Sequence, residues 1–431
     1  PFKNPMRAHV PFIAKWDYQQ FVDSVHGRKR RLYANAAKSL AEGYSRRDLF
    51  RWTAVRAFMK FEKLPVGNKR LVPRLIQPRS PQYNILVGCY TKAAEHPLYA
   101  AIQKVYKDDL PVVAKGLTGP QLGDVIHRKW LRYKNPVCVG LDQSRFDQHI
   151  SRAILEYEFS IYQLAFHSKE LASLLYYQKA TRGTVVTEDG VITYQTDGGR
   201  CSGDMNTGLG NSIIQAAIIY SYLSGRVWAR EPSVMVNGDD SFIICEEEDV
   251  GKLRNLSGFC DGLGFVLKVE QEVRVLEQIS FCQMQPVFNG EQYVMMRSFP
   301  TCVAKDAYTT QHLDKRNFLA YFSSVGECGL ALCSGVPVLQ SHYAWLMSLT
   351  DERVYIDNGI KFWTINVQAK MRPITDEARI SFYHATGVLP EHQEAIERSY
   401  ERRVSVLLTE EDIVSVYPDA EYGFSGGGVS L

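Results

Sequence analysis

Asn237-Gly238-Asp239-Asp240 joins two short apolar runs, Ser233–Val236 and Ser241–Cys245. Asn-Gly between apolar runs is the strongest short-range signal for a β-hairpin, because tight turns need positive φ, which glycine adopts at no steric cost. The chain is thereby committed to an antiparallel ribbon carrying two adjacent carboxylates at its tip. A third apolar run, Val137–Leu141, suits a buried strand and ends in Asp142. Asp147 follows at a helix start, with a helical pattern from His149 to about Phe166.

A carboxylate at a strand end, beside carboxylates at a hairpin tip on an adjacent strand, can hold divalent cations from one side. Mg²⁺ takes oxygen ligands from one or two carboxylates and completes its shell with water and substrate phosphates. Two such ions about 3.5–4 Å apart stabilise the attacking and the leaving oxygen of an in-line displacement. That is phosphoryl-transfer chemistry, in which positioning and charge neutralisation do most of the catalysis. On these residues alone two plainer readings stay open, since Asp tolerates turns and Asp147 suits a helix N-cap. The stretch Gly199–Asn211 lies between the two acidic features. It leads from a glycine-rich turn into a helix expected over about 206–223, and it places Ser202, Thr207 and Asn211 where hydroxyls and an amide could read a sugar.

Charge is unevenly distributed. Residues 1–80 hold 18 Lys and Arg against five Asp and Glu, a net of +13 within a chain of net +3, interleaved with aromatics such as Trp16, Tyr33, Phe50 and Phe61. This suits a polyanion, and it equally suits solvated helix faces. Nine scattered cysteines without CxxC argue against a disulfide framework and a structural zinc site, and for a reducing compartment. No HExxH, Walker A loop or GxGxxG occurs. The GxSxG match at Gly423–Gly427 lacks the strand and helix of a nucleophile elbow. The longest apolar-rich stretch, Ile213–Leu223, is too short to cross a bilayer and carries Gln215 and Ser221. The start at Pro1 points to a trimmed product.

Residues 18–62 read as helices. Four prolines over 65–81 predict an extended basic segment, and 120–133 reads as helix. A hairpin near 187–193, a helix over about 248–263, a strand over about 265–270, a hairpin over about 279–297 and a mostly helical remainder complete an α+β pattern.

With these features in order, the chain resembles the RNA-dependent RNA polymerases of tombusvirus-like plus-strand RNA viruses. Asp142–His149 matches the family's motif A, Cys201–Asn211 motif B and Gly238-Asp239-Asp240 motif C. Lys69–Arg79 resembles the basic motif F and Phe281-Cys282-Gln283 motif E. The likeness continues through Val325–Ala331 and Asp376–Tyr383.

The resemblance implies a right-hand polymerase with a small antiparallel palm sheet carrying the GDD hairpin. Fingers and an amino-terminal extension with motif F would take 1–133, palm 134–155 and 196–299, a fingers insertion 156–195 and thumb 300–431. Asp142, Asp239 and Asp240 would be catalytic and ligate two Mg²⁺ ions, for which Mn²⁺ substitutes. Lys69, Arg70, Arg74, Arg79, Asp147, Ser202, Gly203, Thr207 and Asn211 would bind the nucleoside triphosphate, with Lys268 the candidate general acid. Implied partners are RNA template and product, a viral auxiliary protein and a membrane replication complex in the host cytoplasm, reached through regions absent here. Initiation would be primer-independent. The rivals are a reverse transcriptase, discouraged by the small carboxylate at Asp147, and an RNA-binding scaffold with a dead palm, discouraged by the full acidic set.

Overall fold

A computed structural model describes residues 1–60, 62, 74–306, 308–309, 313, 315–354 and 368–401. Lys69, Arg70 and the Gly423–Gly427 match lie outside them. The described residues form two compact units, one from 1–60, 74–115 and 133–272, the other from 116–132 and the described part of 273–401.

The first unit opens with α1 (Lys3–His9), α2 (Tyr18–Asp23), α3 (Arg28–Ala41) and α4 (Arg46–Trp52). Capping boxes at Asp17–Gln20 and Ser45–Asp48 satisfy the first free amides of α2 and α4. The helical reading of 18–62 fails beyond Trp52. Val55–Met59 is a strand, β1, with Val55 and Ala57 inward and Arg56 and Phe58 outward. It pairs antiparallel with β2 (Leu75–Ile76) and parallel with a strand 128 residues further on, Val55 opposite Gly183. Good helix formers lose here to a long-range ladder that no local pattern announces.

The 25-residue α5 (Pro81–Val105), to which sequence reading assigns no element, runs through the core of the unit. Ser80 caps it and Pro81 occupies its first turn, where a missing N–H costs nothing. Next along the chain come α6 (Gly119–Trp130), β3 (Pro136–Ser144), α7 (Phe146–His149), α8 (Arg152–Phe166) and α9 (Lys169–Tyr176). The hairpin of β4 (Ala180–Thr187) and β5 (Gly190–Asp197) completes a mixed sheet of order β2-β1-β4-β5.

The sheet that matters for the site follows from α10 (Thr207–Leu223), β6 (Ser233–Asn237), β7 (Asp240–Glu246), α11 (Leu256–Gly262) and β8 (Val266–Val269). Its order is β6-β7-β3-β8 and every pairing is antiparallel. Ile213, Ile214 and Ala217 of α10 share one core with Val137, Val139, Val234 and Ile243 of the sheet. The single helix expected over 248–263 is divided into a 3₁₀ segment, Glu247–Leu253, and α11. Gly251 weakens the run, and Asp249 is drawn aside to accept from the Ala229 amide.

In the second unit β9 (Met284–Phe288) and β10 (Tyr293–Arg297) form the expected hairpin, against which α6 packs. Helices α12 (Phe299–Asp306), α13 (Lys315–Cys333), α14 (Leu339–Met347), Asp376–Thr386 and Pro390–Glu401 follow. Phe322, Leu330, Leu339, Leu346 and Phe382 make their core. The segments Val325–Ala331 and Asp376–Tyr383 thus sit on helices of this unit.

Candidate active site

The register of the β6-β7-β3-β8 sheet assembles the acidic residues. Asp142 is directly opposite Lys268 on β8. On the other side Leu141 pairs with Ser241 of β7, and one more residue along that register brings Asp142 level with Asp240. Strand alternation buries Leu141 and Gln143 and turns Asp142 out to solvent. Lys268 is exposed too, and directly opposed side chains share a face with Cβ atoms typically about 5 Å apart. The candidate general acid is thereby the cross-strand neighbour of the motif A carboxylate.

The β6–β7 turn consists of Gly238 and Asp239, with Asn237 and Asp240 closing the ladder. Gly238 has φ of +72° at the first turn position, the place where a II′ turn demands glycine. Two polar residues on the inward face of α10 anchor this turn. Ser212 Oγ accepts from the Gly238 amide at 3.0 Å and donates to the Gly208 carbonyl at 2.8 Å. Gln215 Nε2 donates to Ser241 Oγ at 2.7 Å, and Gln143 Nε2 donates to Gln215 Oε1 at 3.3 Å. Sequence reading missed Ser212 and the positioning role of Gln215. Their signal was a polar pair at i,i+3 in a largely apolar helix.

The carboxylates feel one another. The Asp239 carboxyl is raised above the usual carboxylate range, first by desolvation and then by the facing Asp142. Asp147 is raised mainly by desolvation, with Asp239 and Asp204 adding to the effect and Asn211 and Arg200 opposing it. Proximity of like charges costs free energy that a bound cation offsets. Among the described residues no group of three or more His, Cys, Asp or Glu side chains is placed to hold a metal ion. An open set of oxygen donors fits Mg²⁺, which keeps waters and substrate phosphates in its shell.

Asp147 and Asn211 are brought together as expected. Asn211 Nδ2 donates to Asp147 Oδ1 at 2.7 Å, and the Arg200 amide donates to the Asp147 carbonyl at 2.8 Å. Arg145, in the left-handed region at φ of 50°, makes the bend from β3 into α7 that aims Asp147. Ser202 is exposed and its Oγ accepts from the Gln77 amide at 3.3 Å. Beside it a Cβ on Gly203 would lie 2.5 Å from Pro78 Cα, so only glycine permits this approach of the motif B loop to the motif F segment. The Thr207 hydroxyl donates its proton to the Cys201 carbonyl at 2.9 Å, closing the loop.

Arg74 is exposed, its carbonyl held by the Lys60 amide at 2.8 Å. Arg79 requires a correction. Its guanidinium is 1% exposed and ion-paired with Asp204 at 2.7 Å. The remaining donors reach the Thr53 carbonyl and Thr181 Oγ1, and the group lies over the Tyr83 ring. Buried and paired inside the protein, Arg79 clamps the motif B loop and is withdrawn from the surface where a triphosphate would bind. In the second unit, motif E forms a two-residue turn with Cys282 and Gln283 both at positive φ, between Phe281 and Met284.

The family model for viral RNA dependent RNA polymerases matches residues 1–406. The chain belongs to this family. It is 37% identical to the RNA-directed RNA polymerase of Tobacco necrosis virus (strain A) over 413 residues, covering 93% of this chain and 55% of that protein. The RNA-directed RNA polymerase of Melon necrotic spot virus is 38% identical over 397 residues, 89% of this chain and 49% of that protein. That of Turnip crinkle virus is 36% identical over 406 residues, 91% and 51% respectively. The chain spans about half the length of these curated relatives. Among the described residues, no helix is long and apolar enough to cross a membrane.

Proposed function

We propose that this member of the viral polymerase family carries out template-directed, Mg²⁺-dependent addition of ribonucleoside triphosphates to RNA 3′ ends, beginning without a primer. The observation that carries the reading is the register that sets Asp142 between the hairpin carboxylates and Lys268, with the Asp147–Asn211 pair nearby. In this reading the β6-β7-β3-β8 sheet with α10 is the palm and the basic amino-terminal region with the β4–β5 hairpin belongs to the fingers. The helices from about 300 onward are the thumb. RNA template and product, an auxiliary viral protein and a membrane-associated complex in the host cytoplasm are the partners the reading carries with it.

Asp142 and Asp239 would hold two Mg²⁺ ions, with Asp240 in support and Mn²⁺ able to substitute. When bound, the ions supply neutralisation of charge on the phosphates and the attacking oxygen. The chain's own groups do the rest. Arg74, on a proline-stiffened segment, pairs with the triphosphate; Lys69 and Arg70 join it, and Arg79 does not. Lys268, beside Asp142, gives its proton to the departing pyrophosphate. Asn211 and Asp147 hold the ribose hydroxyls, with Ser202 and the Gly203 backbone forming the loop rim.

Primer-free synthesis by purified protein on defined RNA templates tests the reading. No product with either Mg²⁺ or Mn²⁺ would reject it, and RNA binding that persists without synthesis would favour the scaffold. Incorporation of deoxynucleotides in preference would favour the reverse transcriptase. Two variants follow. Arg74→Ala should raise the KM for nucleotide with template affinity nearly unchanged; a loss of template affinity alone that deepens with salt would instead mark Arg74 as a backbone contact. In Asp147→Ala the ratio of kcat/KM for ribo- over deoxynucleotide should fall by about ten- to a hundredfold, since a site built to bind a hydroxyl penalises its absence by about 1–3 kcal/mol per unpaired group. An unchanged ratio would reduce Asp147 to a structural role.

A further inference from the structure

Behind the Asp147–Asn211 pair lies a buried ionic network centred on Glu158 and Arg200, neither of which falls in a motif named above. Glu158, on the inner face of α8, is 0% exposed and ion-paired with Arg200, whose side chain is 1% exposed. Arg200 Nε donates to Asn211 Oδ1 at 3.2 Å, and Asn211 in turn donates to Asp147. Glu158 accepts further bonds from the Tyr162 hydroxyl at 2.6 Å and from Asn206 Nδ2 at 2.9 Å. Gln178 Nε2 donates to Asn206 Oδ1 at 3.0 Å. The Arg200 guanidinium therefore bridges α8 to the amide that holds the Asp147 carboxylate.

We propose that the Glu158–Arg200 pair is the positioning device for ribose selection: it fixes the rotamer and the amide orientation of Asn211, and through Asn211 the carboxylate of Asp147. The inference rests on the polymerase reading above. An Asn amide can present either its oxygen or its NH₂ in a given direction, and the choice follows from its partners. Arg200 has only donors, so it accepts no alternative: Asn211 must turn Oδ1 towards Arg200 and Nδ2 towards Asp147. Glu158 keeps the guanidinium in place, and its carboxylate is itself held by Tyr162 and Asn206. A lysine at 200 has a single ammonium on a flexible stem and lacks the rigid fork that serves a carboxylate and an amide together. A buried ion pair is weak evidence of stability alone, since apolar replacements are often as stable. Its place behind the Asp147–Asn211 pair gives it a role in orientation.

The experiment measures kcat and KM for a ribonucleotide, its 2′-deoxy analogue and its 3′-deoxy analogue, with the full chain carrying Arg200→Lys or Tyr162→Phe. The latter removes one bond to Glu158 and keeps ring and charge, so it remains a folded probe if Arg200→Lys unfolds. The expected result is a ribo/2′-deoxy ratio of kcat/KM lowered about tenfold in Arg200→Lys and severalfold in Tyr162→Phe, through a raised ribonucleotide KM. Discrimination against the 3′-deoxy analogue should change less. Folded variants whose kcat/KM falls equally for all three nucleotides, or whose ratio is unchanged, overturn the inference and leave the pair a structural brace. Failure of wild-type protein to synthesise RNA would instead strike the polymerase reading, so the two failures are distinguishable.

Discussion

Asp239→Ala should lower RNA synthesis by about 10³-fold or more, the scale on which loss of one preorganised charge at a reacting centre is felt. Asp142→Ala should behave alike. Both residues are exposed, Asp142 two residues before the end of β3 and Asp239 at a hairpin tip, so neither fills a core position. Removing one of two facing carboxylates also relieves repulsion, so Tm in metal-free buffer should hold or rise slightly. Mg²⁺ should raise the Tm of the wild type, because a ligand that binds only the folded state stabilises it by mass action, and should raise that of Asp239→Ala much less. Calorimetry with and without Mg²⁺, beside the synthesis assay, checks all of this. Robust Mg²⁺-dependent synthesis in either variant would remove the carboxylates from the mechanism.

Asp204→Ala should destabilise the first unit by about 3–5 kcal/mol, because it leaves the Arg79 guanidinium buried without its counter-charge. Both partners are almost fully buried, at 1% and 2% side-chain exposure, so solvent screens little of the interaction. The double variant Arg79→Met/Asp204→Leu should recover most of the loss, since apolar groups of similar volume often replace a buried pair without penalty. Denaturant midpoints of the single and double variants make the comparison. Were Arg79 instead a nucleotide contact, Asp204→Ala would leave the midpoint near wild type and raise the KM for nucleotide.

The contrast between Asp142 and Arg79 shows what was legible in the residues. Asp142 follows an apolar run of strand length, a local signal that needs no knowledge of any partner; its outward direction came only with the structure, which buries both faces of residues 137–141. Gly238 and the two Asp residues after it declare a turn for equally local reasons, although the structure makes Gly238-Asp239 the central pair where Asn-Gly supplied the signal. Arg79, by contrast, reads as one more cation in a basic proline-rich segment. Its burial depends on Asp204, 125 positions away, and on Thr53 and Thr181 arriving at the same point. The same limit hides β1, whose parallel partner lies 128 residues on, and α5, whose first half, Tyr83–Thr91, is buried on every side and whose second half carries Pro97, a residue that reads as a helix breaker.

The sequence by itself determined the antiparallel hairpin with its acidic tip, the strand that carries Asp142, though that strand runs on to Ser144, the glycine-rich entry to α10 and the order in which these occur. Each follows from turn chemistry or side-chain period over fewer than about twenty residues. Only the tertiary structure decided that Lys268 faces Asp142, that Ser212 and Gln215 pin the hairpin, that Arg79 is a clamp and that Glu158 stands behind the Asp147–Asn211 pair. Those pairings depend on which buried polar groups meet. A buried donor must find an acceptor wherever the fold delivers one, and sequence separation carries no information about where that will be.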